Sequence, residues 1–399
     1  MKGIGGSTAE RELQDIRPWA DPASAITREE RLTRIETARR LTRDMGADAL
    51  LIGAGASLRY FAGVPWGASE RLVAMLLPVR GMPIMIAPRF ELGTLQASLA
   101  IEADLRLWEE DESPSELVAS ALRAFGADVL AIDPAMAFLF VDRIAKVAPS
   151  LSLVDGSRVV DNCRMCKSPA ELALMQQAKS MTLEVQRRAA SILHEGIRAS
   201  EVARFLDQAH RAIGAPGGNG FVIVQFGRAS AYPHGLPGDP PLSEGDIVLI
   251  DTGCVIEGYH SDITRTYVFG EPNAEQRRIW ALEHEAQAAA FDAVRPGAPC
   301  ESVDAAARKV LEKAGLGPDY ALPGLPHRTG HGIGLSIHEP AYLVRGDKTS
   351  LQPGMCFSNE PMIVIPDRFG VRLEDHFYVT ETGAAWFTEP SPAIDAPFG

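Results

Sequence analysis

Apolar and polar positions change period along this chain, and the changes mark its elements. After a polar, glycine-containing opening read as a loosely ordered lead-in over residues 1–26, TREERLTRIETARRLTRDMGA begins at Thr27. Thr27 with Glu30 three residues on is a capping-box pattern, and the amphipathic run behind it predicts a helix ended by Gly46. Short continuous apolar runs then alternate with helical periodicity. The runs at 47–54, 72–79, 82–89, 103–110, 127–133 and 151–157 predict strands, and 90–100, 114–125 and 137–148 predict helices. Residues 27–160 therefore read as an α/β domain. It has no dense polar constellation, so its expected work is structural: a dimer surface, or a wall over a neighbouring active site.

A boundary is expected near 158–167, and 161–399 reads as a second, α+β domain. Ser168, Pro169 and Glu171 form a helix start. Helices are predicted to about 194 and over 199–213, followed by a strand at 221–227. The stretch 245–268, GDIVLIDTGCVIEGYHSDITRTYV, holds two β-rich runs around the turn pair Glu257-Gly258. Helices over 275–294 and 302–314 precede glycine-rich turns and short strands to the end. Helix pairs followed by strands thus occur twice, which hints at internal pseudo-symmetry.

Composition adds exclusions. With 46% hydrophobic and 23% charged residues the chain is an ordinary globular one, and 399 residues suggest two domains. A net charge of −13 and no Lys/Arg-rich run argue against nucleic acid and anionic membrane as partners. There is no signal-like or bilayer-length apolar stretch, so the expected compartment is the cytoplasm. Five cysteines do not make a disulfide framework. Cys163-x-x-Cys166 has no second CxxC and reads as reduced thiols beside a linker.

The chemistry gathers after residue 230. With Glu257-Gly258 at a hairpin tip, Asp251 faces Thr264, and Asp262 lies two residues along the same face. The two carboxylates become diagonal neighbours about 7–8 Å apart at the backbone. That leaves room for two metal ions roughly 3.5–4 Å apart. HRTGHGIGLSIHEP (327–340) then concentrates three of nine histidines, His327, His331 and His338. If His331 and His338 serve one site, the strand must bend or bulge at its glycines. Glu360 precedes a proline. In GVRLEDHFYV, Arg372, Glu374 and His376 share a face, while Asp375 falls on the apolar face and calls for a buried partner. Asp251, Asp262, His331, Glu360 and Glu374 are four carboxylates and an imidazole. Drawn into one cleft they repel, and divalent cations offset that charge. Such donors suit Mn²⁺, Co²⁺ or Zn²⁺.

Asp-Thr-Gly (251–253), Ser-Asp-Ile-Thr-Arg-Thr (261–266), Gly-His-Gly-Ile-Gly-Leu (330–335), Asn-Glu-Pro (359–361) and Val-Arg-Leu-Glu-Asp (371–375) are similar to the five metal motifs of the pita-bread metallopeptidases, the Xaa-Pro dipeptidases (prolidases) and aminopeptidase P. The resemblance is strong over about 160–399, and residues before it resemble a creatinase-type N-terminal domain. It implies two divalent ions per subunit, Mn²⁺ foremost with Zn²⁺ or Co²⁺ as alternatives. Asp251, Asp262, His331, Glu360 and Glu374 would hold them, with Asp262 and Glu374 bridging. It further implies substrate-binding and catalytic roles for His234 and His338, a proline-pocket role for His327, and an outer-shell arginine, Arg372, in reach of the substrate carboxylate. The implied reaction is hydrolysis of Xaa-Pro dipeptides by a metal-bridging hydroxide, with Glu360 as the base, in a homodimer acting on small proline-containing peptides. Aminopeptidase P activity on longer peptides is the alternative. Intact ligands argue against a metal-free creatine amidinohydrolase or a non-catalytic binding module of the same fold, and the extra N-terminal domain against a methionine aminopeptidase. One position departs from the pattern: Val364 stands where family members often carry a tyrosine.

Overall fold

A computed structural model describes residues 3–399. The chain divides into two compact units, one of Ile26–Arg164 and one of Met165–Gly399 joined by the segment up to Ala25. That N-terminal segment corrects the expectation of a loose lead-in. Helix α1 (Ala9–Asp15) is capped by Thr8, and backbone bonds from Gly5 to Ala190, Ser7 to Ser191 and Trp19 to Ile213 tie the segment to the second unit.

The first unit is an α/β layer. Thr27 accepts the Glu30 N–H at 3.2 Å and starts α2 (Arg28–Asp44). Strands β1 (Ala49–Gly53), β2 (Ala74–Pro78), β3 (Ile84–Pro88), β4 (Asp104–Trp108), β5 (Val129–Ile132) and β6 (Ser152–Asp155) form one mixed sheet in the order β4-β3-β2-β1-β5-β6. The central strands are buried on both faces, which is why they read as continuous apolar runs rather than alternating ones. Helices α3 (Ala56–Ala62), α4 (Leu92–Ser98), α5 (Pro114–Ala124), α6 (Phe138–Val147) and α7 (Ser157–Arg164) complete the unit. Helices α3 and α7 were not expected. The first is seven residues long and opens at Gly55 with no side-chain cap. The second occupies the expected boundary loop and buries Val159, Val160 and Cys163. Cys163 and Cys166 are free thiols.

The second unit is the mixed helix-and-sheet domain expected. Ser168 and Glu171 make a reciprocal capping box for α8 (Pro169–Ser191), which precedes α9 (Ala199–Ile213). Strands β7 (Phe221–Phe226), β8 (Ile247–Gly253), β9 (Val255–Ile256), β10 (Tyr259–His260) and β11 (Ile263–Val268) follow, with β11-β8-β7 forming a three-stranded sheet. A second helix pair, α10 (Ala274–Asp292) and α11 (Glu301–Lys313), precedes β12 (Gly330–Gly332), β13 (Glu339–Leu343), β14 (Cys356–Asn359), β15 (Met362–Ile365), β16 (Phe369–Arg372), β17 (Asp375–Val379) and β18 (Ala384–Trp386). Strands β13-β12-β14-β17-β18 make a five-stranded sheet. The two helix-pair-then-sheet halves are the pseudo-two-fold plan of a pita-bread domain. No helix among the described residues is long and apolar enough to cross a membrane.

Candidate metal centre

Strands β8 and β11 pair antiparallel with Asp251 opposite Thr264, the register expected from the turn pair. Gly253 is required by close approach: a Cβ there would lie 1.8 Å from the Ser261 carbonyl oxygen. The absent side chain lets the backbone before Asp262 press against β8. An isolated bridge joins Thr264 to Glu374, and the Glu374 N–H donates to the Thr264 carbonyl at 3.1 Å. The far end of the chain thereby reaches the hairpin. Thr264 Oγ1 donates to Glu374 Oε2 at 2.8 Å and accepts from Arg372 Nε at 3.1 Å.

His331 comes from β12. Gly330 and Gly332 flank it because added Cβ atoms would meet Ser358 O at 2.0 Å and Glu339 O at 2.5 Å. The β12–β13 register shifts between His331 and Gly332, so the expected irregularity sits at those glycines. His331 Nδ1 is 3.0 Å from the Gly332 carbonyl oxygen. A proton on Nδ1 then leaves Nε2 to face the carboxylates, 3.1 Å from Glu360 Oε1 and 3.7 Å from Asp262 Oδ2. Glu360 follows β14, and Ser358 Oγ donates to its Oε1 at 3.0 Å.

Asp251, Asp262, His331, Glu360 and Glu374 line one cavity of about 650 Å³ together with Arg372, His234, His327 and His338. Burial raises the carboxyl pKa of Asp251, Asp262 and Glu374 and, for Asp262, the charges of Glu374, Asp251 and Glu360 add to it. Burial is the largest influence on Glu360 and pushes it the same way, but the bond and charge of His331 with the charges of His327 and Arg372 together outweigh it and hold the carboxyl at about 2. Asp251 Oδ1 and Glu374 Oε1 are buried oxygens that no donor reaches. Uncompensated buried acceptors beside an imidazole nitrogen are what a divalent cation satisfies. The donor atoms of His331, Glu360 and Glu374 lie within 4.8 Å of one another, as do those of Asp262, Glu374 and His376. These residues fit a metal.

The histidines of the wall differ. His338 is exposed at the cavity wall, and its ring meets that of His331 edge-on at 4.2 Å. Burial, then the neighbouring His331 and Arg328, lower its pKa to about 4, so it is neutral at pH 7. Burial also lowers His327, whose Nδ1 is 2.7 Å from the Arg328 carbonyl. Arg372 is 3% exposed, and its Nη2 donates to Asp251 Oδ2 at 2.5 Å. Its guanidinium is taken up by Asp251 and Thr264, an outer-shell placement. Val364 is buried in the apolar core, bridged to Gly324, away from the cavity.

Three groups had no role in the sequence reading. Arg265 is the partner that Asp375 demanded, at 2.8 Å, with both side chains essentially inaccessible. The misplaced aspartate was the only local signal. His376, on the Glu374 face, is wholly buried with neither ring nitrogen partnered, and lies 3.7 Å from Glu374 Oε1. Phe221, Ile223, Pro326 and Ile337 give the cavity apolar walls. Nothing local marks them.

Residues 173–381 match metallopeptidase family M24, and residues 34–166 match the creatinase/prolidase N-terminal domain. A probable dipeptidase PepE of Mycobacterium tuberculosis is 39% identical over 358 residues, spanning 88% of this chain and 92% of that one. A putative dipeptidase YkvY of Bacillus subtilis is 30% identical, spanning 90% and 98%. The crystal structure of dipeptidase PepE from Mycobacterium ulcerans superposes with a TM-score of 0.86 at 36% identity, covering 94% of this chain and all of that one. The Xaa-Pro dipeptidase from Bacillus anthracis gives 0.80 at 27%, covering 90% and 98%. The buried acidic and histidine donors suit the metal dependence of such enzymes, and the chain belongs to metallopeptidase family M24, with a creatinase/prolidase N-terminal domain.

Proposed function

We propose that this protein is a dipeptidase that hydrolyses Xaa-Pro dipeptides with two divalent ions, Mn²⁺ foremost. Asp251, Asp262, His331, Glu360 and Glu374 would hold them. The observation that carries the reading is the set of four carboxylates, three of them buried, and one buried imidazole on a cavity of about 650 Å³ that three further histidines line. When bound, such ions supply Lewis acidity at a carbonyl and a lowered pKa for water.

The chain's own groups do the rest. Glu360 is ionised at neutral pH, takes the proton of the attacking water and returns it to the departing prolyl nitrogen. His338, neutral at pH 7, donates an N–H to the oxygen on which charge develops. His234, on the cavity wall, orients the substrate. A prolyl nitrogen carries no hydrogen and its ring fixes φ, so His327 and the apolar wall select it by shape. Arg372 holds Asp251 in place. Relatives named dipeptidase and Xaa-Pro dipeptidase support the short substrate.

The test is hydrolysis of Ala-Pro beside Ala-Pro-Ala by chelator-stripped enzyme with and without Mn²⁺. Cleavage of Ala-Pro alone, restored by Mn²⁺, is expected. Efficient cleavage of the tripeptide would make the enzyme an aminopeptidase P. Full activity after metal removal, or in Asp262→Ala, would overturn the metal assignment.

A further inference from the structure

We propose that the buried ion pair of Lys167 and Glu339 is the device that positions His338, and that both residues serve the reaction through that imidazole. The proposal rests on the role given above to His338.

Between β12 and β13 the chain leaves regular pairing over residues 333–338, and His338 is the last residue of that excursion. Few bonds hold it. Ile333 N–H donates to the Cys356 carbonyl at 3.2 Å, Gly334 N–H to the Ser336 carbonyl at 3.1 Å, and His260 N–H to the Gly334 carbonyl at 2.9 Å. The return is made by Glu339. Its Oε1 accepts the Ser336 N–H at 2.9 Å, and its Oε2 accepts Lys167 Nζ at 3.1 Å. The side chains of Lys167 and Glu339 are only 2% and 4% exposed.

Lys167 is itself anchored. Its N–H donates to the Gly354 carbonyl at 2.8 Å, and Nζ also reaches the Met165 carbonyl at 3.3 Å. Gly354 lies two residues before β14, the strand that leads to Glu360. The excursion passes directly over the pair: a Cβ on Gly334 would lie 2.9 Å from both Glu339 Oε1 and Lys167 Cε. In the ladder, Glu339 stands opposite Gly332, next to His331. The same carboxylate therefore sets the spacing between the His331 and His338 rings, 4.2 Å centre to centre.

A buried ion pair adds little stability over apolar side chains of equal volume, because desolvation cancels the Coulomb gain. Its directional bonds instead select one arrangement of the chain. Burial is the largest influence on the Lys167 ammonium and works against it, but the charges of Glu339, Cys356 and Glu171 and the bond to Glu339 together outweigh it and leave the lysine pKa raised, so Lys167 keeps its charge. Neither residue lines the cavity. They are positioning residues, and their effect must pass through His338.

A double-mutant cycle tests this. Lys167→Met and Glu339→Gln are each made in the parent and in His338→Ala, and read as kcat and KM for Ala-Pro with Mn²⁺, with metal content and Tm alongside. In the parent background each is expected to lower kcat by about 10- to 100-fold, the scale of an ångström of misplacement, with KM and metal content unchanged. In the His338→Ala background each should change kcat less than about twofold. The same loss in both backgrounds would overturn the proposal. Should the single variants fold poorly, Lys167→Met with Glu339→Leu removes both charges together. That folded variant is expected to regain Tm but not kcat, and wild-type kcat in it would also overturn the proposal. The His338 ring resonances in ¹H–¹⁵N spectra give a readout independent of turnover. They shift in Lys167→Met if the pair positions the ring, even if Ala-Pro proves not to be a substrate. Unchanged resonances sink the positioning role alone.

Discussion

Asp262 and Glu374 are the residues least content in the metal-free protein. Burial first, and then the neighbouring carboxylates, raise their pKa, and burial raises Asp251 as well. A carboxyl whose pKa is higher folded than unfolded stabilises the fold while protonated, and that stability is lost as pH rises through the folded value. Glu360 runs the other way, but its window lies between its ordinary 4.5 and about 2. Above about pH 5 these carboxyls contribute only the destabilising trend, while His327, His338 and His376, whose pKa is lowered on folding, oppose it until about pH 6.5. Chelator-treated protein is therefore expected to lose Tm from about pH 7 to pH 8, above the range in which the histidines titrate, and the Tm gained on adding Mn²⁺ should grow over the same range. Thermal unfolding across that range checks both, and a metal-free Tm that rises with pH would contradict the charge assignment. At Val364 the family hydroxyl cannot simply be restored. The side chain is 3% exposed within packed core. Val364→Tyr is expected to overpack, costing about 1–3 kcal/mol without raising kcat. Urea unfolding and Ala-Pro turnover measure the two parts.

At the scale of elements, the site depends on strands approaching where side chains are missing. Strand β8 meets the backbone before β11 at Gly253, and β12 meets β14 at Gly330. Gly253→Ala would place a methyl 1.8 Å from the carbonyl oxygen of buried Ser261. The expected result is a loss of about 1–3 kcal/mol, with metal content falling because Asp262 moves with the displaced chain. Denaturant unfolding and metal analysis of the same preparation decide it, and unchanged metal content would mean that the hairpin yields elsewhere. Much of this was legible locally. The turn pair set the Asp251–Thr264 register, and Ser168 with Glu171 announced α8. Helix α7 was not legible, because its short polar segment gains helix stability from burying Val159, Val160 and Cys163 rather than from a strong periodic pattern.

For the whole molecule, the path of the chain matters as much as its elements. The segment up to Ala25 belongs to the unit that carries the candidate metal centre, although residues 26–164 follow it in sequence. Ala23 N–H donates to Gln177 Oε1 at 2.6 Å, and Arg188 reaches Glu12 at 3.1 Å. Deleting residues 1–25 is expected to lower Tm by about 5 °C and to reduce turnover modestly, since it strips partners from α8. A thermal scan of the truncated chain beside the full one tests this, and an unchanged Tm would return the segment to the passive role first read for it. By itself the sequence determined most of the strand and helix order, the two-fold repetition of helix pairs and sheets, and which donor residues are candidates to hold a metal, because periodicity, caps and donor types are local properties. Only the tertiary structure decided that Asp375 rests on Arg265, that Lys167 meets Glu339 across 172 positions, and that Phe221, Ile223, Pro326 and Ile337 wall the cavity. Those pairings follow from which backbones pack together over long separations, and no single stretch of sequence encodes that packing.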